Sequence, residues 1–329
     1  MSITLLYGCC QIETSARDLA AVRRFMMEVL GANPIEQVLA KQIAALIPGV
    51  GYDVDHLDCG EAVFQINQPS PDMVFKGQKS VHQAYLERVG PSVTNLNYFI
   101  DDYRHAHELL TSMGAQTHIR GPSTAARVLA DYGPENTRPG GEDRPFLFMS
   151  SRHLIGLDLE IMEPNFLHFS QQAVQYPAFI HPRPAVGHGN LRLKRLQIAV
   201  ADLEQTHDNL LAIFAPASRS KPYSIQSGRH GRSFRIGLGG MEVEYCQPNS
   251  PDCELGKFLA QLGPGVFSAV FEAHDPAMVL EKCRAHGGIE VQDTSDLLGL
   301  APQTPSPRIA SRALIGFDAV LEQCEQTSL

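Results

Sequence analysis

Polar and apolar residues change period repeatedly along the chain. In "CQIET", from Cys10, Ile12 opposes Gln11 and Glu13, the two-residue alternation of a half-buried strand. Immediately after it, Leu19, Val22, Phe25, Met26 and Leu30 recur at steps of three and four, which predicts a helix with one buried face. The order strand, Asp, helix returns from Gly90, Arg195 and Gly263 and predicts helices over 102–114, 202–214 and 275–287. Three strand-like pieces follow each helix, the last being "AVFQINQP", "LDLEIMEP", "MEVEYCQP" and "FDAVLEQ". The pattern therefore predicts an α+β chain of four βαβββ units.

The halves also repeat each other. "GPSVTNLNYFIDDYRHAHELLTSMGA", from Gly90, matches "GPGVFSAVFEAHDPAMVLEKCRAHGG", from Gly263, in order of residue types. "RHLIGLDLEIMEP", from Arg152, returns as "RALIGFDAVLEQ", from Arg312, read here as one strand written twice, with Glu160 replaced by Val320. Residues 165–190, with Pro177, Pro182 and Pro184 and little periodicity, read as a linker. The expected domains are 1–164 and 191–329, in keeping with a length of 329 residues.

Composition narrows the function. With 43% hydrophobic and 19% charged residues the chain is globular in character, and no apolar run reaches the roughly 18 residues that suggest a membrane span. "MSITLLYGCCQIET" lacks a basic, then apolar, leader pattern, so the cytoplasm is the expected compartment. Seven scattered cysteines without a CxxC pair fit reduced thiols. A net charge of −9 without a basic block argues against a nucleic-acid partner. No GxSxG, HExxH or P-loop motif is present.

Alternation also sorts the strand faces. Leu157, Leu159 and Ile161 oppose Asp158, Glu160 and Met162, while Leu96, Tyr98 and Ile100 oppose Asn95, Asn97 and Phe99. Phe64 and Ile66 oppose Gln65 and Asn67. The apolar faces suit helix packing. The face rich in amides and carboxylates is either the solvated side of a sheet or the lining of a site.

The fourfold βαβββ order, the opening "ARDLAAVRRFMMEVLG" and the strand "LDLEIMEP" resemble the vicinal oxygen chelate superfamily over nearly the whole chain. That superfamily includes glyoxalase I, methylmalonyl-CoA epimerase, bleomycin-resistance proteins and extradiol dioxygenases. The resemblance implies units paired into two curved, mixed eight-stranded sheets, each with a cup, and metal-ligand places at Gln11, Gln65, Asn95 and Glu160. The family usually has His at the first-strand places, where this chain has Gln11 and Asn95. An all-oxygen set suits one divalent ion such as Mg²⁺, Mn²⁺ or Fe²⁺, or the same groups hold substrate oxygens with no metal. Glu13 or Asp158 is placed to add a second charge, and His153 to act as an acid or base at the rim.

In the second half the corresponding places carry Arg195, Glu244, Ser268 and Val320, which cannot form the two-His, one-carboxylate triad of an iron dioxygenase. Arg120, Arg127, Arg138 and Arg144, in or beside a long loop, read as solvated charges or as contacts for an anionic substrate.

The expected function is proton abstraction from a small oxygenated or carbonyl-bearing organic substrate, of isomerase, epimerase or lyase type, in the first half. Glu160 would be a metal ligand or general base and Glu13 a further catalytic group. The alternative is a metal-free binding protein of the bleomycin-resistance kind, and an extradiol-type iron dioxygenase is disfavoured. No nucleic-acid or membrane partner is expected, and a homodimer is left open.

Overall fold

The computed structural model describes residues 2–6, 11–34, 52–60, 62–69, 74–75, 78–79, 81–120, 146–162, 191–215, 224–287, 289–292, 297–299 and 306–324. The expected linker at 165–190 lies outside them. The first unit comprises β1 (Gln11–Ser15), a helix Leu19–Glu28, β2 (Asn33–Pro34), β3 (Tyr52–Asp58) and β4 (Val63–Pro69). A ribbon of β5 (Val74–Phe75) and β6 (Gln78–Lys79) and a helix Val81–Val89 lead to the second unit. That unit is β7 (Ser92–Phe99), a helix Tyr103–Ser112, β8 (Gln116–Arg120), β9 (Phe146–Ser150) and β10 (Asp158–Met162).

The third unit has β11 (Leu191–Ala199), a helix Leu203–Ile213, β12 (Gln226–Ser227), β13 (Gly231–Leu238) and β14 (Met241–Pro248). After a helix Glu254–Leu262, the fourth has β15 (Gly265–Ala273), a helix Pro276–His286, β16 (Val291–Gln292), β17 (Arg308–Ile309) and β18 (Asp318–Gln323). The four expected βαβββ modules are all present.

Two mixed eight-stranded sheets result, ordered β2-β3-β4-β1-β7-β10-β9-β8 and β12-β13-β14-β11-β15-β18-β17-β16. In each, the first strands of two units pair antiparallel at the centre, and each unit's last strand lies parallel beside its first. The Asp that recurs in every unit is a helix cap. Asp18, Asp102, Asp202 and Asp275 accept from the backbone N–H of Ala21, His105, Gln205 and Met278, satisfying a donor that the first helical turn leaves without a partner.

The repeated "RHLIG" and "RALIG" are not strand, as expected, but helical turns, Arg152–Ile155 and Arg312–Ile315, with strand beginning at Asp158 and Asp318. Each turn ends on a left-handed glycine, Gly156 (φ 73) or Gly316 (φ 91). A Cβ on Gly156 would fall 2.6 Å from Ile198 Cγ2, and one on Gly316 would fall 2.7 Å from the Ser92 backbone. Each half thus presses a glycine against the other half's central strand. The following Asp anchors the turn: Asp158 accepts from the Arg152 N–H at 2.9 Å and Asp318 from the Arg312 N–H at 3.1 Å.

Helix residues Val22, Phe25 and Met26 pack on the apolar sheet face with Ile12, Phe64 and Leu96, in one core that continues into Leu196, Ile198 and Phe317 of the other half. Phe64 and Phe317 stack at 5.3 Å between centroids. The helices Val81–Val89 and Glu254–Leu262, which the hydrophobic pattern did not predict, each lie over three central strands of a sheet. The first of them meets the sheet's polar face.

Candidate active site

Strand register gathers the first half's polar residues. Glu13 lies opposite Gln65 on one side and Asn95 on the other, Gln11 opposite Asn97, and Glu160 opposite Asn97. Far from being washed by solvent, Glu13, Asn67, Asn95 and Asn97 are buried and Gln11, Gln65 and Glu160 half-buried. Buried polar groups persist only when paired, and here they pair with one another.

Asn97 spends its side-chain N–H groups on Gln11 Oε1 at 2.7 Å and Glu13 Oε1 at 2.8 Å. Asn95 donates to Asn97 Oδ1 at 2.6 Å and to Glu160 Oε2 at 3.4 Å, and its own oxygen accepts from Thr94 Oγ1 at 2.7 Å. Gln65 Oε1 meets His56 Nε2 at 2.8 Å, and Gln65 Nε2 donates to Asn67 Oδ1 at 3.1 Å.

The helix Val81–Val89 adds His82, whose Nε2 lies 3.1 Å from Glu13 Oε2. Its Nδ1 stands 3.4 Å from Ser15 Oγ and 3.3 Å from Thr94 Oγ1.

Glu13 and Glu160 influence each other, and their protonation tendencies diverge. Burial and the Glu13 charge push the Glu160 carboxyl well above the usual range. Burial also acts to raise Glu13, but the hydrogen bond and charge of His82 and the hydrogen bond from Asn97 outweigh it, holding Glu13 low. Of the two, Glu160 is therefore the one that takes a proton more readily and Glu13 the one that keeps its charge. On the other flank, burial pulls His56 down to about 4, so it is a neutral ring.

The structure brings together Gln11, Glu13, Gln65, Asn95 and Glu160. It does not bring in His153, which is exposed beside Gly114, at the end of a helix on the opposite, apolar side of the sheet. Asp158 also adds no charge to the cluster, because it accepts from Tyr85 Oη and the Arg152 backbone. Arg127, Arg138 and Arg144 lie outside the described residues. His82, Tyr85 and His56 were missed. The available signal was the helical spacing of His82, Tyr85, Leu86 and Val89 in "VHQAYLERV".

At the family's ligand places the donor set does not fit a catalytic metal. The oxygens of Gln11 and Asn95 already accept from protein donors, Gln65 Oε1 faces His56 Nε2, and Glu160 is the one carboxyl among the four. Leaving such buried donors unpaired costs about 1–3 kcal/mol each. Among the described residues no group of three or more His, Cys, Asp or Glu is arranged to hold a metal ion.

The second half carries a different solution at the same places. Arg195 donates to Glu244 Oε2 at 3.0 Å and to both oxygens of Glu322. Gln197, in the place of Glu13, also donates to Glu244, at 2.9 Å, while Ser268 donates to Gln197. Val320, in the place of Glu160, is buried. Burial works to raise Glu244, but the charges of Arg195 and Arg235 hold it low. An arginine, a serine and a valine at these places do not fit an iron triad.

No family model matches the sequence, and no curated protein matches it. Solved structures do. A triple mutant of 4-hydroxymandelate synthase from Streptomyces coelicolor aligns with a TM-score of 0.55 at 16% identity, over 96% of this chain and 93% of that one. A xylose isomerase-like TIM barrel/4-hydroxyphenylpyruvate dioxygenase fusion protein aligns with a TM-score of 0.52 at 14% identity, over 99% of this chain, which spans 50% of the fusion. At these identities the likeness is one of architecture. With four βαβββ units paired into two sheets, the chain has the fold of the vicinal oxygen chelate superfamily.

Proposed function

We propose that the first half is an enzyme site that removes and returns a proton on a small oxygenated or carbonyl-bearing organic molecule, in isomerase, epimerase or lyase chemistry. The observation that carries this reading is the carboxyl pair, with Glu160 pushed up and Glu13 held low on a bed of ordered amides, and in this reading the pair shares one proton. Glu160 is the half-buried member and so the one open to a substrate, whereas Glu13 is buried. As the substrate's C–H proton passes to the outer oxygen of Glu160, the proton already shared moves to Glu13. The negative charge then resides on the substrate as an enolate.

Gln11 and Gln65, also half-buried, are the amides placed to hold the substrate's oxygens. Return of a proton from Glu160 to the same or a neighbouring atom completes the cycle and regenerates the pair. Positioned acid–base groups of this kind contribute about 10²–10⁴-fold in rate.

A second reading, a metal-free binding protein, draws on the same network, because amides already locked by hydrogen bonds form a preorganised surface for a ligand. Proton NMR in D₂O separates the two. The panel would be α-hydroxyketones, 1,2-dicarbonyls and 2-oxo acids, including 4-hydroxyphenylpyruvate, whose methylene is α to a ketone. Enzyme-dependent deuteration at such a carbon, lost by about 10²-fold or more in both Glu160→Gln and Glu13→Gln, is the expected result. Thermal stabilisation by a panel compound with no exchange would instead establish the binding protein.

A further inference from the structure

We infer that Arg152 is a positioning residue of the first cup: it latches a β-bulge that turns the Thr94 hydroxyl onto Asn95, and it is itself held by the second half of the chain. The inference rests on the proposed reaction only in taking the first cup as the reacting one.

Plain alternation along β7 would put Thr94 on the apolar face with Leu96 and Tyr98. The register prevents this. Glu13 pairs with Asn95 but the next residue, Thr14, pairs with Val93, so Thr94 is an extra residue bulged out of the ladder. Val93 stays in the apolar core, while the buried Thr94 donates its hydroxyl to Asn95 Oδ1 at 2.7 Å, with His82 Nδ1 at 3.3 Å. With its oxygen held in this way, Asn95 turns Nδ2 toward Asn97 Oδ1 and Glu160 Oε2. Without that donor the amide could turn over and set its oxygen against the carboxyl.

A bulge disturbs the ladder locally, and buried carbonyls there still require donors. Arg152 Nη2 supplies them, to Val93 O at 3.1 Å and Thr94 O at 2.9 Å. The guanidinium lies over the Tyr85 ring at 4.7 Å and donates from Nε to Tyr85 Oη at 2.9 Å. Its remaining arm crosses to the second half, where Nη1 donates to Pro264 O at 3.1 Å. That path is open because residue 265 is glycine: a Cβ there would fall 2.6 Å from Arg152 Nη1.

The second half builds the same latch with a different load. The shift between the Gln197–Ser268 and Ile198–Val266 pairs makes Phe267 the extra residue on β15. Arg312 donates to the Phe267 carbonyl and lies over the Phe267 ring at 4.3 Å and the Phe258 ring at 4.7 Å. That bulge aims a phenyl ring into an apolar cluster with Phe258 and Leu298, where the first aims a hydroxyl at an amide of the cup.

The test uses the full-length protein and follows solvent exchange of the Asn95 side-chain amide protons by NMR, with urea unfolding of each variant in parallel. Thr94→Val, which removes the hydroxyl, and Gly265→Ala, which displaces Arg152 from within the second half, should each speed that exchange by about tenfold or more. Thr94→Ser, which keeps the hydroxyl, should keep the protection. Arg312→Gln, which opens the equivalent latch of the other cup, should lower stability without touching Asn95. On any substrate that exchanges its proton, kcat should fall by about tenfold in Thr94→Val and Gly265→Ala, with KM little changed, and stay at the wild-type value in Arg312→Gln.

Unchanged protection of Asn95 in both Thr94→Val and Gly265→Ala would overturn the inference. So would an acceleration in Arg312→Gln as large as theirs, because that marks a general loosening of the chain. If no compound exchanges in any of the proteins, the proton-transfer reading fails, while the protection of Asn95 still decides whether Arg152 positions the cup.

Discussion

The two cups share a scaffold and differ in what fills it. In the first, Gln11, Glu13, Asn95, Asn97 and Glu160 form an amide bed with a carboxyl pair at its half-open side. In the second, the same register positions hold Arg195, Gln197, Ser268, Val270 and Val320, and the arginine is locked between Glu244 and Glu322. One cup pairs two carboxyls whose proton affinities are driven apart; the other has spent its charges on an ion network. Strand pairing determines which side chains meet, and a few residue choices at those slots determine whether the meeting yields chemistry or structure.

The comparison can be broken by attacking each cup in turn. The largest effect belongs to the carboxyl pair, where Glu13→Gln should remove about 10²–10⁴-fold of any proton-exchange activity, while Glu322→Gln in the other cup leaves exchange unchanged. Next comes Arg195→Ala, which strands the buried Glu244 and should cost about 3–5 kcal/mol in urea unfolding, with exchange activity retained in whatever fraction remains folded. A loss below about 1 kcal/mol would mean that the network is only surface-like.

Gly316→Ala and Gly156→Ala should each cost about 2–4 kcal/mol, from a left-handed φ combined with a Cβ inside contact distance of the opposite half. Equal losses in the two variants would confirm that the halves are pinned reciprocally. The smallest effects are those of the caps: Asp18→Ala and Asp202→Ala should each lose about 1 kcal/mol, measured by the same unfolding experiment.

A pH experiment sharpens the second cup. Burial works against the Glu322 carboxylate, but the hydrogen bonds and charge of Arg195, with help from Lys194, hold it down to about 2. Since its folded value lies below the ordinary value of 4.5, the unfolded chain binds more protons in that interval, and stability rises with pH. The advantage of the wild type over Glu322→Gln should be fully present above the unfolded value and fade as pH falls from there toward about 2. An advantage independent of pH would show that Arg195 does not act through this charge.

Much of the fold was legible in the sequence because its causes are local. The three-and-four spacing of Val22, Phe25 and Met26, the strand alternation and the capping Asp of each unit all act within a few residues. "RHLIG" misled because four of its residues form a single helical turn, too short to show a period, and because the role of Gly156 is set by Ile198 in the other half.

The amide and carboxylate face was readable from alternation, and Glu13 and Glu160 were both on it. What could not be read was their contact, since it depends on the register across β1, β7 and β10. Nor could the sequence place His82 beside Glu13. Nothing in "VHQAYLERV" says which sheet face the helix will cover.

Infrared difference spectroscopy of carboxyl groups tests the central claim most directly, comparing wild type with Glu160→Gln and Glu13→Gln at neutral pH in H₂O and D₂O. The account predicts a protonated-carboxyl C=O band, shifted by deuteration, that is lost in Glu160→Gln, and a carboxylate band lost in Glu13→Gln. A protonated band that survives in Glu160→Gln, with only carboxylate intensity removed, would mean that Glu160 is ionised and that the pair does not hold the shared proton.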